Sequence, residues 1–339
     1  LALNFDPMKG VHQIYLFAAA VLIAAFYFIQ RGGGTDGSLF EVRNDGQVDW
    51  QVHDFGEVLF GRDSLPWEEM QKVYWPFVMN QPERFFWANE RKNQVLIDHY
   101  TNVQNLFDQN KVTETLAKIS ANANELLGVA LPDELFYYIS GIDLENPCLY
   151  FPGGQDSVIA FVGLDNFLGA GYPGYNAIPG YQRVLMEQRQ LGVSYANALV
   201  EGRILQNFND PSLLGQMVYH GRRHLAVEAV MGEVPAHEVL GYSLEEYNFL
   251  VENERQIWEV LVREKLLFST DMMVRQRLME PAPFSKMGTA MDAEIPGRVA
   301  QFIGYRMMRS FAKKSELALE ELLNIRDAQR ILRDAQYKP

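Results

Sequence analysis

The sequence is poor in cysteine and in positive charge, and each shortage excludes a class of protein. Its 339 residues include a single cysteine, Cys148, which rules out an internal disulfide framework and a multi-cysteine zinc or iron–sulfur site. The 30 lysines and arginines are outnumbered by 43 aspartates and glutamates, which gives a formal net charge of -13. Because nucleic acids are bound through clustered basic residues, we expect no nucleic-acid partner.

Residues 11–30 form a long apolar run that contains no Asp, Glu, Lys or Arg. A helix of this length, at about 1.5 Å per residue, spans the roughly 30 Å core of a lipid bilayer. The run predicts a single transmembrane helix between a tail at residues 1–10 and a glycine-rich linker at residues 31–38. Small residues let helices pack closely inside a bilayer. The predicted contacts with integral membrane partners are therefore Ala18, Ala19, Ala20, Ala24 and Ala25.

The rest of the chain, residues 39–339, predicts one soluble α+β domain that is predominantly α-helical with a few short strands. Alternating or β-branched and aromatic residues predict strands within residues 42–60, 136–140 and 157–164, and a loop or hairpin between the last two. Helical periodicity predicts helices from residue 66, at residues 95–107 and 112–127, and in most of the chain after residue 182.

Two features predict helix boundaries in the C-terminal half. Ser243 and Glu246 form a capping box, which predicts one helix whose apolar face continues to Val262. Further on, prolines and a glycine predict that the C-terminal third is divided into short helices. These residues are Pro281, Pro283, Pro296 and Gly297.

The strongest candidate for metal chemistry is His220 with His224 and Glu228, which would share one face of a helix. Two histidines four residues apart can bind zinc, as in the HExxH motif. The position of the general-base glutamate in that motif is occupied here by Gly221, and two arginines follow it. We therefore expect no catalytic residues, no metal and no other cofactor, and keep a membrane-anchored zinc metallopeptidase as an alternative.

Residues 167–181 are dense in glycine, proline and tyrosine and predict an ordered loop packed by its own rings. A second alternative uses this loop: a ligand- or glycan-binding module with a pocket lined by Tyr172, Tyr175 and Tyr181.

A series of short motifs occurs in the order found in one known family. They lie at residues 52–60, 150–152, 165–169, 217–222, 253–258, 267–271, 282–286 and 296–304. Together they resemble the gliding-motility lipoprotein B (GldB) family. The resemblance implies a degenerate zincin-like domain that has lost its metal motif. It also implies a non-catalytic, membrane-tethered part of a bacterial motility and secretion machinery.

The chain departs from that family in its predicted anchor, because family members carry a lipid where this chain has the apolar run at residues 11–30. A transmembrane helix fits an accessory subunit of a large membrane complex, with the lipid bilayer and integral membrane proteins as partners. The expected location is the bacterial envelope. The alternative is the mitochondrial inner membrane, in a complex such as ATP synthase or a respiratory complex.

Overall fold

The structure is a computed structural model that describes residues 39–42, 46–61, 65–79, 83–151, 157–204 and 210–339. The predicted transmembrane helix at residues 11–30 lies outside these ranges, as do its flanking tail, the linker and the five alanines. Within the ranges, no helix combines the length and the hydropathy that crossing a membrane requires.

Helices dominate the described residues, and a few short strands accompany them, as the sequence predicts. The strands are β1 (Gln51–Asp54), β2 (Glu134–Tyr138), β3 (Cys148–Phe151) and β4 (Ile159–Gly163). The helices are α1 (Phe55–Phe60), α2 (Trp67–Val73), α3 (Trp75–Val78), α4 (Arg84–Glu90), α5 (Gln94–Leu106), α6 (Gln109–Leu127), α7 (Gly180–Arg183), α8 (Gln190–Ile204), α9 (Leu213–Met231), α10 (Ala236–Leu240), α11 (Leu244–Glu252), α12 (Glu254–Arg263), α13 (Met272–Met279), α14 (Val299–Ser315), α15 (Leu319–Asn324) and α16 (Ala328–Ala335).

The strands form one sheet in the order β1-β2-β4-β3. The first three of these are parallel neighbours, and β3 pairs antiparallel with β4 at the edge. One face of the sheet carries stacked aromatic rings: Phe136 and Phe161 lie 5.3 Å apart between centroids, and Phe77 packs on both. Helix α8 packs on β3, and α6 packs on α8. The sheet therefore separates an aromatic cluster from the larger helical core.

The strand predicted within residues 42–60 is present at Gln51–Asp54. It ends where Asp54 accepts the backbone N–H of Glu57 at 2.9 Å and caps α1. The connection between β2 and β4, predicted as a loop or hairpin, includes a strand that pairs antiparallel with β4. This strand is β3, whose sequence CLYF carries no periodic signal long enough to be recognised as a strand.

The helix predicted from Ser243 to Val262 is two helices. The capping box is present, with Ser243 N–H and hydroxyl donating to Glu246 at 2.8 and 2.9 Å. Helix α11 ends before Asn253, whose φ of -104° and ψ of 7° are not helical. The chain turns there and brings the next residue, Glu254, to buried partners described below. The apolar periodicity continues across the break, so it gives no sign of the turn.

The C-terminal third matches its prediction only in part. The prolines lie in an irregular segment before α14, and α15 and α16 are short, with six and eight residues. Helix α14 has 17 residues and is mostly buried up to Ala312. It packs against α9 along the most extensive helix–helix contact of the described domain.

Candidate functional site: a cavity beside helix α9

Helix α9 carries the histidines and arginines that the sequence singles out. The hydroxyl of Ser212 caps its first turn by accepting the N–H of Gly215 at 3.0 Å. Helices α6, α8 and α14 surround α9, so that most of its side chains are buried. A polar group on such a helix needs a partner inside the protein or in a cavity, because an unpaired buried polar group is costly.

Two of the three candidate metal ligands on α9 have separate partners, whereas the buried Nδ1 of His220 has no hydrogen-bond partner among the described residues. Glu228 forms an ion pair with Arg309 and accepts the hydroxyl of Tyr305 at 2.9 Å. His224 Nε2 lies 3.1 Å from Gln301 Oε1. In the part of the chain that the structure describes, no three His, Cys, Asp or Glu side chains are placed to hold a metal ion.

Both histidines are neutral inside the protein. Burial, and after it the charges of Arg223 and Arg298, lowers the pKa of His220 from 6.5 to about 3. Burial, and then Arg223, also lowers the pKa of His224 well below 6.5. Gln301 donates its amide to the carbonyl of Met279 at 2.7 Å, so its oxygen faces the imidazole. His224 Nε2 is therefore the protonated nitrogen, and Nδ1 is a buried acceptor without a hydrogen-bond partner among the described residues.

The neutral histidines predict that acid weakens the fold. A folded-state pKa below the unfolded value means that the unfolded chain binds more protons, so stability falls as the pH drops below 6.5. Between about pH 7 and pH 5, His220 alone is expected to cost about 2 kcal/mol. Urea unfolding of the wild type and of His220→Gln at both pH values measures this term. Between pH 7 and pH 5 the variant should lose about 2 kcal/mol less of its free energy of unfolding than the wild type. Equal losses in the two proteins would contradict the prediction.

A cavity of about 590 Å³ lies beside α9. Its walls come from the segment leading into β3, from β3 itself, from α8 and α9, and from the loop before α14. Charged side chains in the wall divide into two groups. Arg223 and Arg298 are partly buried, whereas the carboxylates of Glu145 and Glu201 are exposed to solvent. A third carboxylate, Glu246, is held by the capping box of α11.

Arg298 and Arg223 differ in their partners. The guanidinium of Arg298 donates to the carbonyls of Leu240 and Gly241 at 2.9 and 2.8 Å and lies 4.7 Å from the ring centre of Tyr242. Arg223 forms no hydrogen bond or ion pair with a described residue, its Nε is buried, and the charge of Glu201 acts on it without an ion-pair contact. Burial lowers the pKa of Arg223, because the charged form is poorly solvated there.

The neighbouring arginine provides a matched comparison, because Arg222 donates to the carbonyls of Ile325 and Ile204 at 3.0 and 3.3 Å. Arg223→Met removes an unpaired buried charge and is expected to raise the free energy of unfolding by about 1 kcal/mol. Arg222→Met leaves two carbonyls without donors and should lower it by about 1–3 kcal/mol. Urea unfolding of both variants measures these changes. Destabilisation of similar size in both would mean that Arg223 has a protein partner.

The three tyrosines of residues 167–181 do not surround one pocket. Tyr175 is fully buried, donates to the carbonyl of Asp165 at 2.5 Å and accepts the N–H of Leu168. The hydroxyl of Tyr172 lies 2.7 Å from His99 Nδ1, and its ring packs on Tyr175. Only Tyr181 lines the cavity. The rings of Tyr172 and Tyr175 hold the loop in place, as predicted for a loop packed by its own aromatic side chains.

A family model described as gliding motility protein GldB matches residues 40–339. The chain belongs to this family. No match is found among curated proteins, and none among solved structures.

Two GldB motifs of this chain each contribute a carboxylate that bonds to another part of the fold. Glu254, from the motif at residues 253–258, accepts from Arg306 at 3.0 Å and from Tyr337 at 2.5 Å. Asp165, from the motif at residues 165–169, accepts the backbone N–H groups of the turn after β2. These donors are Ser140, Gly141 and Ile142, at 2.8, 2.8 and 3.0 Å. The carboxylates of two separate motifs are therefore used to join elements of the fold.

Two GldB glycines explain why α9 and α14 approach so closely. A Cβ added to Gly221 would overlap the backbone of Gly304, and one added to Gly304 would overlap the backbone of Met217. The motifs at residues 217–222 and 296–304 thus contact each other through their glycines. Arg298, from the second motif, and Arg223, just after the first, both line the cavity. The two consecutive arginines of this mostly buried helix are the sequence signal for the cavity, although from sequence alone they indicate only a site unfavourable for zinc.

Proposed function

We propose that this chain is a non-catalytic, membrane-anchored accessory subunit of a gliding-motility machinery in the bacterial envelope. Membership of the GldB family supports the motility role. One observation carries the non-catalytic part: the Glu228 carboxylate, the acidic candidate on α9, is paired with Arg309 in the core. A carboxylate held in that way is available neither to a metal nor to an attacking water.

A zincin-like origin of the domain is part of this proposal. In that reading α9 corresponds to a former metal-binding helix, and Gly221 stands where the general-base glutamate was. The close contact with Gly304 leaves no room for a side chain at this position, so a general-base glutamate could not occupy it in this packing. The family description names gliding motility, so we favour the bacterial envelope over a mitochondrial complex.

The proposed anchor is a single-pass helix at residues 11–30, and the proposed partners are integral membrane proteins of the same complex. Its alanines would form the contact, since small residues allow close helix packing in a bilayer. They are Ala18, Ala19, Ala20, Ala24 and Ala25.

Gentle detergent extraction of the full chain, followed by mass spectrometry of what remains bound, tests the role. We expect integral membrane proteins to co-purify in fixed stoichiometry. Replacing Ala19 and Ala20 with leucine should reduce their recovery, because the larger side chains separate the helices. The matched control is Phe26→Leu with Phe28→Leu, which keeps the segment apolar and does not enlarge any of the alanine positions. Recovery of the chain alone, or recovery unaffected by the alanine variants, contradicts the proposal.

Metal analysis tests the metallopeptidase alternative. The purified chain, dialysed against zinc and then washed, is expected to retain far less than one zinc per chain. The reason is that the Glu228 carboxylate is neutralised by Arg309 and His224 is bonded to Gln301. Stoichiometric zinc that is lost in His224→Phe would support a peptidase and overturn the non-catalytic assignment.

A further inference from the structure

Helix α4 is rich in aromatic residues, yet none of its seven residues is buried. Three consecutive rings follow Arg84, and the first two are open to solvent: Phe85 is 74% exposed and Phe86 is 36% exposed. Trp87 packs on Phe55, with ring centres 5.3 Å apart, and holds α4 to the domain. A helix this short is not stable alone in water and depends on packing of an apolar face. The exposed rings of α4 therefore form a face that the described residues leave uncovered.

Helix α3 extends this uncovered face. Its Phe77 also packs on Phe55, with ring centres 4.1 Å apart, so α3 and α4 both lie against this ring. Trp75 and Met79 are four residues apart, on the side of α3 away from Phe77, and are 42% and 62% exposed. The outward side chains of the two helices form one apolar patch, which consists of Trp75, Met79, Phe85 and Phe86.

Basic side chains border the apolar patch. Arg84 is exposed at the start of α4, and Lys92 is exposed just past its end. Residues 75–92 contain three basic and two acidic residues, whereas the whole chain has 30 basic and 43 acidic ones. Rings flanked by long basic side chains are the composition of a surface that binds phospholipid, with the rings at the acyl boundary and the cations at the phosphates. The charge of this surface therefore complements lipid phosphates, in contrast with the acidic balance of the chain as a whole.

The proposed anchor brings a bilayer within reach of the apolar patch, so the inference rests on the proposed function. Residues 31–38 connect the anchor to the domain, and a chain of this length extends over at most about 30 Å. A domain of the size of residues 39–339 is about 50 Å across. Because the tether is shorter than the domain, the domain stays next to the lipid headgroups and its faces compete for contact with them. The face that removes rings from water gains the most free energy.

We infer that the apolar patch inserts into the headgroup region of the bilayer that carries the anchor, and gives the domain a second, peripheral contact with phospholipid. Phe85 and Met79, its most exposed members, enter the boundary between headgroups and acyl chains. Arg84 and Lys92 bond to lipid phosphates at the edge of the patch. This contact fixes the orientation of the domain on the membrane, which an eight-residue tether alone leaves free.

Site-directed spin labelling of the full chain in vesicles of phosphatidylcholine and phosphatidylglycerol tests this contact. The one native cysteine, Cys148, is buried, so a nitroxide can be attached selectively to Ala88→Cys, an exposed position on α4. The control label is attached to Gln329→Cys, which is exposed on α16. Oxygen dissolves in lipid and a nickel chelate stays in water, so the ratio of their collision rates with the nitroxide measures immersion. We expect a ratio several-fold higher at residue 88 than at residue 329.

Variants of the apolar patch identify the side chains responsible. Phe85→Glu with Met79→Glu should remove the difference between the two labels, because carboxylates stay in water. Both side chains are mostly exposed, so the exchange removes little packing from the fold. The matched control is Phe268→Glu with Met272→Glu, which changes two side chains of similar exposure, 58% and 68%, in the segment between α12 and α13. This control should leave the difference unchanged.

Several outcomes would overturn the inference. Equal ratios at the two labels, in a chain that floats with the vesicles, would show that the apolar patch remains in water and would leave the proposed anchor intact. Low collision rates with both reagents at residue 88 would show that a protein surface, such as a second copy of the chain, covers the patch. A high ratio that survives Phe85→Glu with Met79→Glu would mean that other side chains hold α4 at the membrane. A chain that does not float with the vesicles would contradict the proposed anchor as well.

Discussion

Replacing Glu228 with alanine is expected to lower the free energy of unfolding by about 3–5 kcal/mol, because it removes the carboxylate that pairs with the buried charge of Arg309. Both side chains are nearly inaccessible to solvent, at 3% for Glu228 and 4% for Arg309. Tyr305 also loses the oxygen that accepts its hydroxyl. Urea unfolding followed by tryptophan fluorescence measures the loss.

The control for this prediction removes both charges. Glu228→Leu combined with Arg309→Met replaces the pair with apolar groups of similar size, and such exchanges are often nearly neutral. We expect the double variant to retain most of the stability that Glu228→Ala loses. If Glu228→Ala lowers the free energy of unfolding by less than about 1 kcal/mol, the ion pair behaves like an exposed one. That result would contradict its burial in the core.

Replacing Gly304 with valine is expected to cost about 3 kcal/mol or more, and to prevent folding if the domain is only marginally stable. The added side chain would overlap the backbone of Met217 in α9. Backbone atoms cannot rotate away as the end of a flexible side chain can, so the two helices would have to separate. Thermal and urea unfolding report the loss, and a reduced yield of folded protein would agree with it.

Gly202 provides the matched control. It also lies within a helix, α8, but nothing lies within 4 Å of a Cβ built at that position. Gly202→Ala should therefore be neutral or stabilise the protein by about 0.5–1 kcal/mol, as expected for an exposed helical glycine. Equal effects at the two positions would mean that the α9–α14 contact is looser than the structure has it.

The sequence predicted local structure well where one signal acted over a short distance. The helices at residues 95–107 and 112–127 correspond to α5 and α6 within a few residues. The capping box of Ser243 is present. These features depend on periodicity and on contacts three or four residues apart, which a single sequence displays directly.

Predictions failed where a distant partner decided the local geometry. The turn at Asn253 allows Glu254 to reach Arg306 and Tyr337, which lie much later in the chain. Strand β3 exists because β4 pairs with it. A long-range ion pair or a strand partner leaves no trace in the spacing of nearby residues, so the sequence could not indicate either feature.

The same division holds for the site. By itself the sequence determined the acidic balance, the absence of a disulfide framework, the apolar run at residues 11–30 and the motifs of the GldB family. Only the tertiary structure decided the chemistry of α9. Glu228 pairs with Arg309, and His224 bonds to Gln301. Gly221 contacts the backbone of Gly304, and Arg223 lines a cavity. The reason is physical: the role of a buried charge is fixed by whether a partner meets it, and the partners come from a helix that lies far away in the chain.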